Sequence, residues 1–167
     1  NKASRYSNSF QQILNTVQLI TFRNKNYYFK DGHERLFWRH TTQFLEEKLL
    51  CDWIDTFKKN DIFYDVGSNV GMFAIYAAKK KITTYAVEPH PSNLDFLIKN
   101  IYLNKVAKII TVIPIALFDK PGVSKFFLRD LTPGVAKAKL VKKFKENLSF
   151  NFLSFELDEI IKNNKLK

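Results

Sequence analysis

A Gly-rich segment, Asp65-Val66-Gly67-Ser68-Asn69-Val70-Gly71, follows the apolar run Ile62-Phe63-Tyr64 and leads into an apolar stretch over 72–80. This order predicts a strand, a tight turn and a helix. The two glycines lack a Cβ atom, so the backbone can turn sharply and approach a ligand closely. The first turn of the helix has N–H groups without intrahelical partners, and Asp65 adds a negative charge at the strand end. Together these features predict a nucleotide-type binding site.

A second acidic residue strengthens this prediction. The run over 82–87 is rich in β-branched and aromatic residues, which is typical of a strand, and it ends at Glu88. Glu88 lies 21 residues after Gly67. A carboxylate at about this distance from a Gly-rich turn is expected to accept hydrogen bonds from a ribose diol.

The loop differs from the dinucleotide fingerprint G-x-G-x-x-G, because Asn69 occupies the place of the second glycine. That glycine lets a pyrophosphate approach the backbone, and Asp65 would repel a pyrophosphate. An acidic residue here suits the α-amino group of S-adenosylmethionine (SAM) better. An NAD-type site remains the alternative, and glycines that serve only packing are the remaining interpretation.

Several segments resemble the FkbM-type SAM-dependent methyltransferases. They include the loop itself, Val-Glu-Pro-His-Pro-Ser-Asn over 87–93, Leu97 followed by Asn100, Ala-Leu-Phe-Asp-Lys-Pro-Gly over 116–122, and Leu-Asp-Glu-Ile-Ile over 157–161. Trp38 and the stretch over 53–55 resemble the leader of bacterial members. The resemblance covers roughly residues 35 to 167.

This resemblance implies an α/β, Rossmann-like class I methyltransferase fold, with a parallel-strand core and helices on both faces. It implies SAM as the cofactor and transfer of a methyl group to a hydroxyl of a sugar or related metabolite. The cofactor-binding residues that it implies are Asp65, Gly67, Ser68, Asn69, Gly71, Glu88, Pro89 and Ala116.

Family members continue past the 157–161 segment into further strands, whereas this chain ends at Lys167 and begins at Asn1. We therefore expect a fragment that lacks the C-terminal strands and part of the acceptor site, and that is not itself a competent enzyme. The first core strand is then expected to present an open apolar edge.

Composition places the chain among globular proteins, with 46% hydrophobic and 15% aromatic residues. No apolar run approaches the roughly 20 residues that span a membrane. The single cysteine, Cys51, is expected to be a small buried hydrophobe in a reducing compartment, and we predict a cytoplasmic, bacterial protein.

The formal charge is +11, and the densest lysine run covers 137–145. Such a balance can indicate nucleic-acid binding, and a basic nucleic-acid-binding module that uses this run is a second alternative function. We nevertheless expect a solvated face here, a small-molecule or saccharide acceptor, and nucleic acid as an improbable partner. The sequence leaves the oligomeric state open.

The pattern along the chain predicts two units, an N-terminal hairpin and helix over 1–58 and an incomplete Rossmann-like SAM-binding domain over 59–167. The first unit contains a short helix over 9–14, a hairpin with strands over 17–22 and 27–29, and a helix from Thr41 or Thr42 to about Lys58. The second unit contains strands over 62–66, 82–88 and 109–115, helices over 70–80 and 92–103, later strands over 123–128 and 150–156, and a turn at 133–134. Pro91 suits an early helical position, and Ser92 or Asn93 suits the cap.

No catalytic residue can be assigned from the sequence. His33 or His40 could serve as a general base on a hydroxyl, although surface histidines are the default, and His90 is expected near solvent or the adenine edge. Methyl transfer depends mainly on alignment of the reacting atoms, so a dedicated base is not required. No cluster has the spacing of metal ligands.

Overall fold

The computed structural model describes residues 16–127, 131–134, 139–140 and 149–163. The strands are β1 (Val17–Phe22), β2 (Lys25–Lys30), β3 (Ile62–Val66), β4 (Thr83–Val87), β5 (Ile110–Ile113), β6 (Ala116–Leu117), β7 (Gly122–Phe127), β8 (Lys139–Leu140) and β9 (Ser149–Phe155). The helices are α1 (Glu34–Glu46), α2 (Lys48–Asp55), α3 (Met72–Lys79), α4 (Pro91–Leu103) and α5 (Leu157–Asn163).

Strands β3, β4 and β5 form a parallel sheet in that order, with Ile62 opposite Thr83 and Thr84 opposite Ile110. Helix α3 connects β3 to β4, and helix α4 connects β4 to β5, because parallel neighbours require crossover connections. The α/β prediction with a parallel core is therefore confirmed. In the described part of the chain β3 is an edge strand of this sheet, as expected.

Helix α3 is the centre of the core, since its residues from Met72 to Ala78 are all buried. Aromatic residues from the N-terminal region pack against it. Phe44 of α1 lies 5.7 Å from Tyr76 and 5.0 Å from Tyr27, measured between ring centroids. The two units predicted over 1–58 and 59–167 thus share one hydrophobic core, and the boundary at residue 58 stays a prediction.

The N-terminal hairpin is antiparallel, with Val17 opposite Lys30. Its turn is tighter than the predicted connection over 23–26, because only Arg23 and Asn24 separate the strands. Both have positive φ angles, 48° and 59°. A two-residue turn with positive φ at both positions matches the twist of the flanking strands.

Two asparagines at the C-terminal end of α4, Asn100 in the helix and Asn104 at its C-cap, attach the hairpin to the rest of the fold. The Asn100 side chain accepts a hydrogen bond from the Lys30 backbone N–H (2.6 Å) and donates one to the Val70 carbonyl (2.8 Å). The Asn104 side chain bonds both backbone groups of Tyr28, at 3.0 Å and 2.6 Å. The backbone edge of β2 is thus paired by side-chain amides where a neighbouring strand would otherwise lie.

A second sheet has the order β6-β9-β7-β8. Strand β6 runs parallel to β9, and β7 runs antiparallel to β9. The predicted strands over 123–128 and 150–156 correspond to β7 and β9, each displaced by one residue. The Ser154 hydroxyl joins them through the Ser124 hydroxyl, 2.7 Å away.

The predicted single helix from Thr41 or Thr42 to about Lys58 is wrong. Helix α1 begins at Glu34, where His33 is the N-cap residue, and the helical path is broken at Glu47 before α2. Inside α1, the Thr41 and Thr42 hydroxyls bond to backbone carbonyls one turn earlier, which is common for threonine within a helix.

Pro91 occupies the first turn of α4 as predicted, but the cap position belongs to His90 rather than Ser92 or Asn93. The turn at 133–134 is present. The predicted helix over 9–14 and most of the lysine run over 137–145 lie outside the described residues. None of the helices in the described ranges is both long and apolar enough to cross a membrane.

Candidate functional site

The Gly-rich loop between β3 and α3 has a strained backbone that explains its glycines. Gly67, Asn69 and Gly71 all have positive φ, at 79°, 53° and 89°. A Cβ atom on Gly71 would lie 2.4 Å from Cδ1 of the buried Leu97, whereas one on Gly67 would meet nothing within 4 Å. Gly71 is therefore required for close packing of α3 against α4, while Gly67 is required for backbone conformation alone.

The loop is tied to the end of β4 by its own backbone. The N–H groups of Gly67 and Ser68 both donate to the Val87 carbonyl, at 2.9 Å and 3.0 Å. The Asn69 N–H donates to Oε2 of Glu88 at 2.7 Å. These bonds fix the height of the loop above the carboxyl ends of the parallel strands, which is where ligands bind in open α/β sheets.

The Glu88 carboxylate is buried and holds two segments together. Besides Asn69, it accepts a hydrogen bond from the His90 N–H at 2.8 Å, through Oε1. Burial raises the pKa of Glu88, and the hydrogen bonds from these backbone groups oppose that rise. In this structure Glu88 stabilises the loop and the start of α4, and its predicted bonds to a ribose stay a prediction.

Asp65 has the most perturbed carboxyl of the site. Burial raises its pKa to about 7, and the nearby charge of Glu88 acts in the same direction, while a hydrogen bond from the Ala74 N–H opposes them. Its Oδ2 atom is buried and has no hydrogen-bond partner among the described residues. A buried carboxyl with an unpaired oxygen is a suitable receptor for a cationic ligand group such as an ammonium.

A cavity of about 700 Å³ lies between the loop and helix α1. This volume is within the range of small-molecule and cofactor sites. The loop side of the cavity is lined by Asp65, Val66, Gly67, Ser68, Asn69, Val70, Met72 and Phe73. The opposite side is lined by Arg35, Trp38, Arg39, Thr42, Gln43, Glu46, Glu47 and Leu50.

Sequence reasoning missed the residues that α1 contributes. The α1 residues that line the cavity recur at helical spacing over 35–46. On another side of the same helix, Leu36, His40 and Phe44 are buried in the core. The four-residue spacing of these three side chains was the available signal. The polar character of His40 concealed it.

Four of the predicted cofactor residues line the cavity together, namely Asp65, Gly67, Ser68 and Asn69. The other four do not line it. Gly71 packs against α4, Glu88 lies behind the loop, Pro89 is partly exposed beside it, and Ala116 is buried in β6.

The turn at 131–134 packs over the start of α4. Its Gly134 N–H donates to the Asn93 side chain, and its carbonyl accepts from Arg39, both at 2.8 Å. Glu88, His90 and Asn93 are all buried in this region. Of the two positions expected for His90, exposure to solvent is wrong because its ring is enclosed, and a position at the adenine edge stays a prediction.

The other two histidines have structural roles. Nδ1 of His33 accepts from the Arg35 N–H and caps α1. The fully buried His40 ring stacks on Phe29 at 4.7 Å, and burial lowers its pKa to about 3. A histidine enclosed in this way is outside the cavity lining and is not a candidate base. Cys51 is also buried, as predicted, and burial raises the pKa of its thiol to about 11.

The chain is similar in sequence to curated tRNA (guanine(37)-N(1))-methyltransferases. It is 29% identical over 92 residues to the enzyme of Schizosaccharomyces pombe, which covers 55% of this chain and 20% of that protein. It is 31% identical over 107 residues to the enzyme of Xenopus tropicalis, which covers 63% of this chain and 21% of that protein. The chain thus spans about a fifth of the length of these relatives.

No family model matches the chain. Among solved structures, a SAM-dependent methyltransferase from Agrobacterium tumefaciens superimposes with a TM-score of 0.46 and 13% identity, over 59% of this chain and 32% of that one. The sequence relatives support the predicted class, a SAM-dependent methyltransferase, but not the FkbM type in particular.

The relatives correct the predicted partner. A small-molecule or saccharide acceptor was expected and nucleic acid was considered improbable, whereas the relatives are named for methylating tRNA. The physical reason for the error is that the loop, Asp65 and Glu88 were interpreted as parts of a cofactor site only. The same cofactor chemistry serves any acceptor, so these motifs carry no information about the methyl acceptor.

Proposed function

We propose that this chain is the SAM-binding part of a methyltransferase that acts on guanine N1 in tRNA. The observation that carries the proposal is the cavity between α1 and the Gly-rich loop, with the unpaired Oδ2 of Asp65 on the loop side. The sequence similarity to tRNA (guanine(37)-N(1))-methyltransferases supports the choice of acceptor.

The residues present fit a sulfonium cofactor that carries an ammonium group. The ammonium group would lie beside Asp65, and the backbone of Gly67 and Asn69 would border the rest of the ligand. A pyrophosphate fits less well, because the buried Asp65 carboxyl would repel it and the backbone N–H groups of Gly67 and Ser68 already donate to Val87. The NAD-dependent alternative is therefore disfavoured.

Guanine N1 carries a proton, so its methylation requires a proton acceptor as well as a methyl donor. In the proposed reaction the N1 lone pair forms a bond to the methyl carbon, the sulfur–methyl bond breaks, and the N1 proton passes to a base. Glu46 and Glu47 are exposed carboxylates that line the cavity opposite Asp65. We propose that one of them accepts this proton.

The FkbM-type resemblance stays a prediction and adds no acceptor to this proposal. The alternative function as a basic nucleic-acid-binding module is no longer separate from this proposal, because RNA binding is part of the proposed reaction. The cytoplasmic location, the bacterial source and the remaining cofactor contacts of Gly71, Glu88, Pro89 and Ala116 stay predictions.

Calorimetric titration of the chain with SAM, S-adenosylhomocysteine and NAD tests the cofactor half. We expect binding of the first two ligands without binding of NAD, and weaker SAM binding in Asp65→Asn. The matched control is Asp95→Asn, which removes an exposed carboxylate paired with Lys99 on the surface of α4. Binding of NAD without SAM would overturn the proposal.

Transfer of a labelled methyl group from SAM to tRNA transcripts tests the acceptor half. We expect labelling of a transcript with guanine at position 37, and loss of labelling when that base is adenine. Glu46→Gln and Glu47→Gln, measured separately, identify the proton acceptor through a fall in turnover with little change in SAM affinity. Equal labelling of both transcripts would contradict the acceptor assignment.

A further inference from the structure

Two adjacent aromatic side chains near the N-terminal end of α1 are exposed to solvent. Trp38 is 58% exposed and Phe37 is 46% exposed. Their rings meet edge to face, with centroids 6.1 Å apart and an interplanar angle of 85°. Trp38 also lines the cavity, so this pair stands at the entrance to the candidate site.

The same end of the helix carries cations. Arg35 precedes Trp38 by one helical turn, lines the cavity and is exposed. Its guanidinium has no hydrogen-bond or ion-pair partner among the described residues. Arg39 lies one further turn along the same stripe and is half-buried. An uncommitted arginine beside an exposed indole is a combination suited to an anionic, aromatic ligand.

The charges that line the cavity differ along its length. Arg35 and Arg39 occupy one end of the α1 stripe, and Glu46 occupies the other end. The rise of an α-helix places Arg35 and Glu46 about 16 Å apart along the axis. A nucleotide bound at the Trp38 end would thus have its phosphate near cations and away from the carboxylates.

We propose that Trp38, supported edge-on by Phe37, is the platform on which an unpaired base of the RNA substrate stacks, and that Arg35 contacts the adjacent phosphate. This inference rests on the proposed function and adds to it a specific recognition surface. RNA is commonly recognised through splayed bases that stack on aromatic side chains, and tryptophan offers a large rigid surface for this contact.

The chain offers a clean spectroscopic test, because it contains only two tryptophans, Trp38 and Trp53. Trp53 packs against Phe57 with a centroid distance of 4.8 Å and does not line the cavity. Trp53→Phe therefore leaves Trp38 as the only indole. A short guanosine-containing single-stranded oligoribonucleotide is expected to quench its fluorescence, and a fully paired duplex of the same sequence is expected to quench it less.

The reciprocal variant, Trp38→Phe, leaves only Trp53, and its fluorescence is expected to stay constant in the same titration. Affinity for the oligoribonucleotide is then measured by filter binding. We expect Trp38→Leu to lose roughly 5- to 100-fold, because leucine is apolar but cannot stack, and Trp38→Phe to lose clearly less. Arg35→Gln is expected to reduce the salt dependence of binding.

The outcomes separate this inference from the proposed function. The stacking platform is refuted, while the methyltransferase proposal stands, if the Trp53→Phe protein binds SAM and RNA but RNA does not quench the fluorescence of Trp38. It is equally refuted if Trp38→Leu binds RNA as tightly as Trp38→Phe. If the same protein fails to bind SAM, the proposed function falls and the inference falls with it. Unchanged RNA affinity in Trp38→Leu, Trp38→Phe and Arg35→Gln would also refute the platform and would leave a protein partner as the remaining role of this aromatic pair.

Discussion

Replacing Asp65 by asparagine is expected to stabilise the protein at neutral and alkaline pH. The Asp65 carboxyl is buried, and its pKa is raised from 3.8 to about 7. Ionisation is therefore unfavourable in the folded state and favourable in the unfolded state. An asparagine removes the charge while its side-chain oxygen can still accept the hydrogen bond from the Ala74 N–H.

The sign and size of the effect follow from this pKa. Because the folded state retains a proton that the unfolded state releases, stability from this group is complete below pH 3.8 and is lost as the pH rises to about 7. Relative to its value below pH 3.8, the free energy of unfolding is lowered by this group by about 4 kcal/mol at pH 8 and by about 2 kcal/mol at pH 5. The advantage of Asp65→Asn over the native chain should thus grow by about 2 kcal/mol between pH 5 and pH 8.

Urea unfolding at pH 5, 6, 7 and 8 measures this difference, with Asp95→Asn as the control. Other titrating groups, including Glu88, are common to both chains and largely cancel when the variant is compared with the native protein. A stability difference that is constant with pH, or an Asp65→Asn variant that is less stable at pH 8, would refute the claim that this charge is buried at a cost. The native chain should also bind SAM more tightly as the pH rises from 6 to 8, because binding of an ammonium group favours the ionised carboxylate.

Three further substitutions probe the fold around the site. Gly71→Ala is expected to be less stable than Gly67→Ala by about 1–3 kcal/mol in urea unfolding, because both residues have positive φ but only the first would clash with Leu97; equal losses would contradict the packing role. Glu88→Ala is expected to lower the melting temperature more than Glu88→Gln, since it removes the acceptor of the buried His90 N–H and of the part-buried Asn69 N–H. Identical melting temperatures would show that the loop does not depend on this carboxylate. The native chain is expected to lose stability as the pH falls from 6.5 to 4, because burial lowers the pKa of His40 to about 3 and protonation of the ring opposes folding. His40→Phe is expected to abolish this loss; if the stability of the variant still falls over the same pH range, another group is responsible.

The β-loop-α-β unit could be predicted because its signals are local. The glycines, the apolar run before Asp65 and the β-branched run before Glu88 each specify one element without reference to distant residues. The structure shifts the boundaries by one or two residues, and it confirms the parallel pairing of β3 with β4. Turn chemistry of this kind is encoded within a few residues of where it acts.

Helix α1 could not be placed by the same reasoning. Its cap is a histidine, and its buried stripe includes His40, which is stabilised there by stacking on Phe29 and by a 2.9 Å contact with Gln18. Those partners come from β1 and β2, so the helical stripe becomes recognisable only when the tertiary contacts are known. The cavity depends on α1, and for this reason half of its lining could not be predicted.

The two carboxylates nominated from the sequence also show why a ligand role is hard to separate from a folding role. Glu88 already holds the loop through Asn69 and the start of α4 through His90, and Asp65 holds the start of α3 through Ala74. Loss of ligand binding on removing either carboxylate would therefore have two explanations. Asp65→Asn separates them, because it preserves the hydrogen bond, removes the charge, and is expected to change stability and SAM affinity in opposite directions. A merely structural carboxylate would lose stability and affinity together.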